Sequence, residues 1–371
     1  MIFEKMKDAI FADDNNNPEK DSDATGTVRR YHDEKKYEKA VKYASEVLKL
    51  NPENYEVLYL RGDSYSFLDQ YEKALADFTK LIQYQNDNAL FYNNRGYCYL
   101  WMGRYEEAIA DFTKAIGYQQ DYAAAYCGRG NCYLFLGQCE DAIADLKKTL
   151  EYKHNLNAAG FGNVIIGLDE VCRLLGNAYL SLNQFEEAAA NYTEVVQSEY
   201  VDDAIYRSRG YCYLYLGRYE EAIADFTKAM EEFKKAMHGS VIIDYASYCG
   251  RGDCYLFLDQ YEKALADYNK AIEYKYESEN AELYNKRGQC YYCLNHYEKA
   301  VADFNKAFQM DPFQFAMDNG YYLRGLAYFY LGKYEKALAD CEKVLAYLQM
   351  PPSVKTKVED VRSACLQHLH R

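Results

Sequence analysis

The stretch that decides the fold is RGYCYLWMGRYEEAIADFTKAI, residues 95–116, because the chain repeats it later. Residues 209–230 read RGYCYLYLGRYEEAIADFTKAM, which differs at three of twenty-two positions. Two nearly identical segments in one chain indicate a repeat architecture, in which each unit is stabilised by its neighbours. The spacing of further copies therefore has to be established before any single residue is interpreted.

The glycine of this stretch, Gly96, marks a position that recurs through the chain. The spacings between successive copies are 34, 34, 34, 46, 34, 42, 36 and 37 residues, so four junctions carry extra residues. The copy nearest the N-terminus has valine in place of glycine. The nine anchor residues are Val28, Gly62, Gly96, Gly130, Gly176, Gly210, Gly252, Gly288 and Gly325.

Each copy has the pattern of two helices joined by a short turn. All nine copies carry tyrosine three residues after the anchor and alanine twelve residues after it, as at Tyr99 and Ala108. Tyr105, Ala108 and Phe112 are spaced for one helical face. Gly103 lies between the two patterns, where the end of a helix favours a left-handed residue. A glycine inside a helix costs about 1 kcal/mol relative to alanine, so its repetition predicts a close approach of helices.

This pattern resembles the tetratricopeptide-repeat (TPR) family. The resemblance covers roughly residues 21–351 and implies an all-α right-handed superhelical solenoid of nine helical hairpins, with the anchor at repeat position 8. The eight signature positions of the family are occupied in the third copy by Tyr92, Arg95, Gly96, Tyr99, Ala108, Phe112, Ala115 and Gln120. The chain departs from the family in two ways: arginine usually replaces leucine at position 7, and the final proline survives only as Pro52 and Pro312.

The chain is expected to have three segments. Residues 1–20 form an amphipathic segment and polar linker that could cover the first hairpin, bind a partner or fray. Residues 21–351 form the repeats, which start near residues 21, 55, 89, 123, 169, 203, 245, 281 and 318. The insertion near 153–164 could be a bend, a partner-contacting loop or a tolerated addition, and the one near 235–244 is expected to lengthen a helix. Residues 352–371 are expected to form a helix that caps the last hairpin.

The arginine at position 7 accompanies an aspartate sixteen residues later in seven copies. The two copies that lack the arginine, with Thr27 and Leu175, also lack the aspartate, with Tyr43 and Asn191. This correlation predicts an ion pair between the two helices of a hairpin, although shared descent of the copies would also produce it. The predicted pairs are Arg61–Asp77, Arg95–Asp111, Arg129–Asp145, Arg209–Asp225, Arg251–Asp267, Arg287–Asp303 and Arg324–Asp340.

The residues that vary between copies are the candidates for function, because the residues that all copies share are explained by the packing of the repeats. In the TPR family the first helix of each hairpin lines a concave groove, and the resemblance carries this role to repeat positions 5, 9 and 13. Aromatic, amide, acidic and arginine side chains there suit an extended peptide, but the rings could also only pack between neighbouring first helices. The predicted groove residues are Tyr59, Asp63, Phe67, Asn93, Tyr97, Trp101, Asn131, Phe135, Arg173, Asn177, Arg207, Tyr211, Tyr215, Asp253 and Phe257.

Composition narrows the possible functions. The formal net charge of −14 argues against nucleic acid as a partner, since phosphate binding needs a concentrated basic face. No apolar run approaches the length of a membrane span and no secretory signal is visible, so a cytoplasmic protein is expected. Five cysteines share a slot that other copies fill with alanine or serine, which predicts packing rather than chemistry. They are Cys98, Cys132, Cys212, Cys254 and Cys290.

No catalytic, metal-binding or cofactor-binding constellation is visible in the sequence, so we expect no enzyme activity, no metal and no cofactor. The predicted function is a protein–protein interaction scaffold that binds an extended peptide or partner segment in the concave groove. The alternative is a self-assembling structural or regulatory subunit that uses its ends or its convex face, and a homo-oligomer fits either role.

Overall fold

The computed structural model describes residues 24–154, 167–198, 201–237, 244–273, 280–317, 319–346 and 352–370. The predicted N-terminal segment 1–20 and most of the insertions near 153–164 and 235–244 lie outside these residues. The described residues form twenty helices and contain no strand. The predicted all-α fold of repeated hairpins is therefore confirmed.

Eighteen of the helices pair into nine hairpins. The first helices are α1 (Ala24–Asp33), α3 (Tyr55–Phe67), α5 (Ala89–Trp101), α7 (Ala123–Phe135), α9 (Leu168–Ser181), α11 (Asp203–Tyr215), α13 (Tyr245–Phe257), α15 (Ala281–Cys293) and α18 (Gly320–Tyr330). The second helices are α2 (Tyr37–Leu50), α4 (Tyr71–Tyr84), α6 (Tyr105–Tyr118), α8 (Cys139–Glu151), α10 (Phe185–Val196), α12 (Tyr219–Ala236), α14 (Tyr261–Glu273), α16 (Tyr297–Met310) and α19 (Tyr334–Ala346). The remaining two are α17 (Pro312–Met317) and α20 (Pro352–Leu369).

The chain divides into two compact units. Unit 1 is Met1–Val195 and holds α1 to α9 and nearly all of α10, whereas unit 2 is Val196–Arg371 and holds α11 to α20. Within unit 2, α12 has 18 residues and is longer than the other second helices, so the second insertion lengthens a helix as predicted.

One residue in the turn of every hairpin adopts the left-handed backbone conformation. Four turns use glycine, such as Gly103 with a φ of 72°. The other five turns use Lys35, Asp69, Asn183, Asp259 and Asn295, so residues other than glycine also adopt this conformation. The following backbone N–H then donates back into the first helix, as Arg104 does to the carbonyl of Tyr99 at 2.9 Å. This bond ends the first helix and turns the chain toward the second.

The anchor glycines allow the two helices of a hairpin to approach closely. A Cβ atom built on Gly96 would lie 2.9 Å from the ring of Phe112, which is fully buried. A Cβ atom on Gly128, in the next first helix, would overlap the same ring at its Cζ atom. Phe112 is therefore enclosed between glycines of two successive repeats, and Phe226 has the same surroundings in unit 2. The predicted close helix approach is confirmed.

The predicted ion pairs between the two helices of a hairpin are confirmed in all seven copies. Each is bidentate: in the third copy Nε of Arg95 donates to Oδ2 of Asp111 at 2.6 Å and Nη2 donates to Oδ1 at 2.8 Å. The side chains of Arg95 and Asp111 are only 15% and 5% exposed. The equivalent pairs at the other copies have the same atoms in contact.

The same arginines also donate hydrogen bonds to the preceding repeat. The repeat pattern did not indicate these bonds. Nη1 of Arg95 donates to Oγ1 of Thr79 at 3.2 Å, so one guanidinium joins three helices. Whenever the next copy carries the arginine, the acceptor position holds serine, threonine or asparagine. Where the next copy has Leu175, the acceptor position is Lys147 instead. Acceptors of this bond include Ser45, Thr79, Thr113, Thr227, Asn269 and Asn305.

The five cysteines in the small-residue slot are all fully buried, which confirms their packing role. Burial raises the pKa of the Cys98 thiol to about 12, so the reactive thiolate is strongly disfavoured there. Among the described residues, no three His, Cys, Asp or Glu side chains are grouped to hold a metal ion. The described helices also include none that is both long and apolar enough to span a membrane.

α20 packs against the last hairpin. Its Val358 and Cys365 are fully buried and belong to the same apolar cluster as Cys341 of α19. The ring of His368 stacks on Tyr334 with centroids 4.5 Å apart and planes 4° from parallel. The position of α20 keeps the outer face of this hairpin from water.

Candidate partner-binding groove

The predicted groove residues all lie on first helices. Within unit 1, α1 contacts α3, and α7 contacts both α5 and α9. Within unit 2, α13 contacts both α11 and α15, and α15 contacts α18. The variable side chains of each unit are therefore presented by helices that lie directly beside one another.

Aromatic rings at repeat position 13 dominate the exposed part of this surface. The exposed fractions are 51% for Trp101, 61% for Phe135, 65% for Tyr215 and 62% for Phe257, and Phe67 is half-buried. These rings are not sealed between neighbouring helices.

One face of several of these rings is nevertheless packed. Phe135 stacks on Tyr105, the first residue of the preceding second helix, with centroids 4.8 Å apart and planes 7° from parallel. Phe257 stacks on Tyr219 in the same way, at 5.3 Å and 10°. One face of each of these rings therefore packs on the neighbouring repeat, and the rest of the ring is open. The stacking partners were missed in the sequence, although an aromatic residue begins the second helix in most copies.

Three predicted contact residues are buried. Asn93 is 0% exposed, and Tyr97 is 4% exposed and donates its hydroxyl hydrogen to the carbonyl of Ala124 at 2.9 Å. Asp63 is 5% exposed and lies 2.7 Å from Nε2 of His32. Their burial removes these side chains from the surface that a partner could touch. Tyr97 and Asp63 join neighbouring first helices instead, and Asn93 bonds to Asn94 within α5.

The His32–Asp63 contact changes the titration of the imidazole. Burial by itself lowers the pKa of His32, but the hydrogen bonds and negative charges of Asp63 and Asp33 outweigh burial and raise it above its ordinary value of 6.5. A raised folded-state pKa stabilises the fold below the unfolded value, and this contribution is lost as the pH rises through the folded value. The contact is therefore strongest when His32 is protonated.

Two other predicted residues bond to tyrosines in the core. Oδ1 of Asn177 accepts a hydrogen bond from the hydroxyl of Tyr192 at 2.7 Å, and Oδ1 of Asp253 accepts one from Tyr268 at 2.7 Å. Both tyrosines occupy the core position that is phenylalanine in four other copies. The sequence signal is this change from phenylalanine to tyrosine, which requires a polar neighbour for the buried hydroxyl group.

The predicted arginines are held by carboxylates. Arg173 pairs with Glu170 at 2.6 Å, and Nη1 of Arg207 lies 2.8 Å from Asp203 and 3.1 Å from Asp244. Tyr59 and Asn131 are half-buried on α3 and α7.

Unit 2 contains a cavity of about 590 Å³ that brings four predicted residues together. Tyr211, Tyr215, Asp253 and Phe257 all line it. The hydroxyl of Tyr211 donates to the carbonyl of Ala246 at 3.0 Å, so this ring forms a fixed wall.

Two charged residues of α15, Glu282 and Lys286, also line this cavity, and the repeat pattern did not indicate them. Nζ of Lys286 lies 2.8 Å from Oδ2 of Asp253 and 2.6 Å from Oε1 of Glu282. Burial raises the pKa of Asp253 in spite of the opposing charge of Lys286. A second cavity of about 610 Å³ shares Glu282 with the first and adds Asp311.

Family models of tetratricopeptide repeats match most of the chain. The matches span residues 31–54, 55–88, 89–122, 123–155, 170–200, 202–277, 245–312 and 319–347. The chain belongs to the tetratricopeptide-repeat family. Proteins of this family generally mediate protein–protein interactions and are generally non-enzymatic.

Solved structures similar to this TPR protein have low sequence identity to it. The C-terminal part of a TPR repeat-containing protein from Cytophaga hutchinsonii is 19% identical, with 69% of this chain and 96% of that chain covered and a TM-score of 0.51. YrrB, a TPR protein with an unusual peptide-binding site, is 22% identical, with 54% and 93% covered and a TM-score of 0.46. A tetratricopeptide repeat protein from Parabacteroides merdae is 19% identical, with 72% and 97% covered and a TM-score of 0.46. No curated protein matches the sequence.

Proposed function

We propose that this TPR protein is a non-enzymatic scaffold that binds an extended peptide or partner segment along its first helices. The observation that carries the proposal is the row of exposed aromatic rings at repeat position 13. Large exposed rings that recur at one structural position are typical of an interaction surface, since monomeric proteins rarely expose contiguous apolar patches.

The stacking of these rings supports the same function. Phe135 and Phe257 are each held on one face by a tyrosine of the preceding repeat. A ring that is already fixed loses little side-chain freedom when a partner covers its open face, so more of the contact energy appears as affinity. Successive first helices lie side by side within each unit, which suits an extended ligand better than a compact one.

A peptide-display selection with the full chain tests the proposal. The variant Trp101→Ala/Phe135→Ala/Tyr215→Ala is expected to lose binding of the selected peptides while its helical circular dichroism and unfolding midpoint stay close to those of the parent. The matched control is Leu50→Ala/Tyr84→Ala/Tyr118→Ala, which removes three side chains of similar exposure from the ends of second helices. Selection of no peptide, or equal loss of binding in both variants, would contradict a groove on the first helices.

A further inference from the structure

We propose that the groove of unit 2 selects a basic segment, with a lysine or arginine side chain of the partner entering the cavity between α11, α13 and α15. This inference rests on the proposed function and adds the chemical class of the partner. The cavity volume of about 590 Å³ is within the range of ligand sites and exceeds that of a single side chain, so a short stretch of peptide fits.

The charges that line the two cavities are predominantly negative. Asp253 and Glu282 line the first cavity, and Glu282 and Asp311 line the second. Among the described residues lining either cavity, Lys286 is the one cation, and it already contacts both Asp253 and Glu282. The first cavity therefore keeps one negative charge in excess, and the second adds another.

A second cation close to the groove is engaged in the same way. Arg207 on α11 bridges Asp203 and Asp244, so this cluster also has one more carboxylate than cation. An anionic ligand would have to displace these existing ion pairs and would meet a surplus of like charge. A cationic ligand meets a site in which carboxylates outnumber cations and can share a carboxylate with Lys286, and the net charge of −14 attracts it from longer range.

Aromatic walls complete a site for a long basic side chain. Phe257 and Tyr215 are exposed in the cavity, and Phe257 is backed by Tyr219. The aliphatic part of lysine or arginine packs on such rings, and the charged end is attracted to their faces. Rings along the walls and carboxylates at α13 and α15 thus match the two parts of one side chain.

Fluorescence anisotropy with the full chain and three labelled probe peptides tests this inference. The probes share an extended alanine–serine–leucine framework and carry lysine, glutamine or glutamate at the same positions. We expect the lysine probe to bind about tenfold more tightly than the glutamine probe, and the glutamate probe to bind most weakly. The preference for lysine should decrease as ionic strength rises from about 0.05 to about 0.3 M, because exposed charges are then screened.

Two variants with matched controls locate the site. Glu282→Gln removes a carboxylate that is about half exposed and is expected to weaken binding of the lysine probe several-fold. The control Glu298→Gln changes an exposed glutamate of α16 outside the cavities and should leave the affinity for this probe unchanged. Phe257→Ala should strongly weaken binding of the lysine probe. Tyr118→Ala removes a stacked and half-exposed ring at the end of the second helix α6 in unit 1, outside the first helices, and should leave binding of the lysine probe unchanged.

The possible results separate this inference from the proposed function. If the glutamine or glutamate probe binds as tightly as the lysine probe and Phe257→Ala abolishes that binding, the preference for a basic segment is wrong and the scaffold function stands. If the lysine probe is preferred but Glu282→Gln and Phe257→Ala change nothing, the proposed site is wrong. If the lysine probe does not bind at all, the inference is also overturned, and the display selection decides the scaffold function independently.

Discussion

Arg95 makes three side-chain hydrogen bonds, two to Asp111 in its own repeat and one to Thr79 in the preceding repeat. Leucine, the residue usual in this family at that position, can supply only packing. The planar guanidinium supplies a bidentate bond to the carboxylate and a further donor in a fixed direction. Its position therefore couples the geometry of a hairpin to that of its neighbour. Desolvation of both charges offsets much of the Coulombic gain, so the pair defines geometry more than it adds net stability.

Replacing Arg95 by leucine is expected to destabilise the protein by roughly 3–5 kcal/mol, because Asp111 would remain buried without its partner. The double variant Arg95→Leu/Asp111→Asn copies the residues that the fifth repeat has at Leu175 and Asn191, and it should recover about 2 kcal/mol of this loss. Urea unfolding of the parent, both single variants and the double variant measures the coupling.

The control for this cycle is Arg104→Leu. Arg104 directly precedes α6 and pairs with Glu107 in its first turn, and both side chains are nearly half exposed, so the loss of stability should stay within about 1 kcal/mol. Additive effects of Arg95→Leu and Asp111→Asn would show that the two residues do not form a coupled pair in solution.

At the scale of the helices, packing depends on where glycine faces a ring. Gly128 of α7 lies against Phe112 of α6 so closely that a Cβ atom would overlap the ring. Gly117, also in α6, has no atom within 4 Å of the position of an added Cβ. The two glycines therefore predict opposite effects of the same substitution.

Gly128→Ala is expected to destabilise unit 1 by about 1–3 kcal/mol, because the added methyl group would overlap the fully buried ring of Phe112. Gly117→Ala should stabilise it by up to about 1 kcal/mol through helix propensity alone. Thermal unfolding followed by circular dichroism compares the two. A similar shift of both variants in one direction would contradict the close approach of α6 and α7.

The repeat period was enough to predict the hairpins, their turns and the ion pairs within seven of the nine hairpins, since these depend on contacts within about 34 residues of sequence. It was not enough for the groove. Tyr97 and Tyr211 occupy the same repeat position, yet Tyr97 is buried and Tyr211 is half-buried. Repeat position defines the direction of a side chain, whereas exposure depends on the length of the next junction and on the residues there. For the same reason the stacking of Phe135 on Tyr105 and the entry of Lys286 into the cavity of unit 2 were not predictable.

For the molecule as a whole, each hairpin is stabilised by its neighbours, so a hairpin with an uncovered apolar face is the weak point of an array. In unit 2, α20 covers the face of α19 that carries Cys341. This bears on self-assembly, because an uncovered face of that kind would be available to a second copy of the chain. Removal of α20 therefore tests directly whether the chain self-assembles through this face.

Val358→Ser is expected to destabilise unit 2 by about 1.5–3 kcal/mol, because Val358 is fully buried against the last hairpin. Lys357→Ser changes the neighbouring exposed position of α20 and should have little effect on the urea midpoint. Light scattering of a chain that ends at residue 351 should show concentration-dependent association, whereas the two point variants keep the parent's molar mass. Unchanged stability and molar mass in all three would mean that α20 does not protect this face and that the uncovered end of the array does not associate with a second copy of the chain.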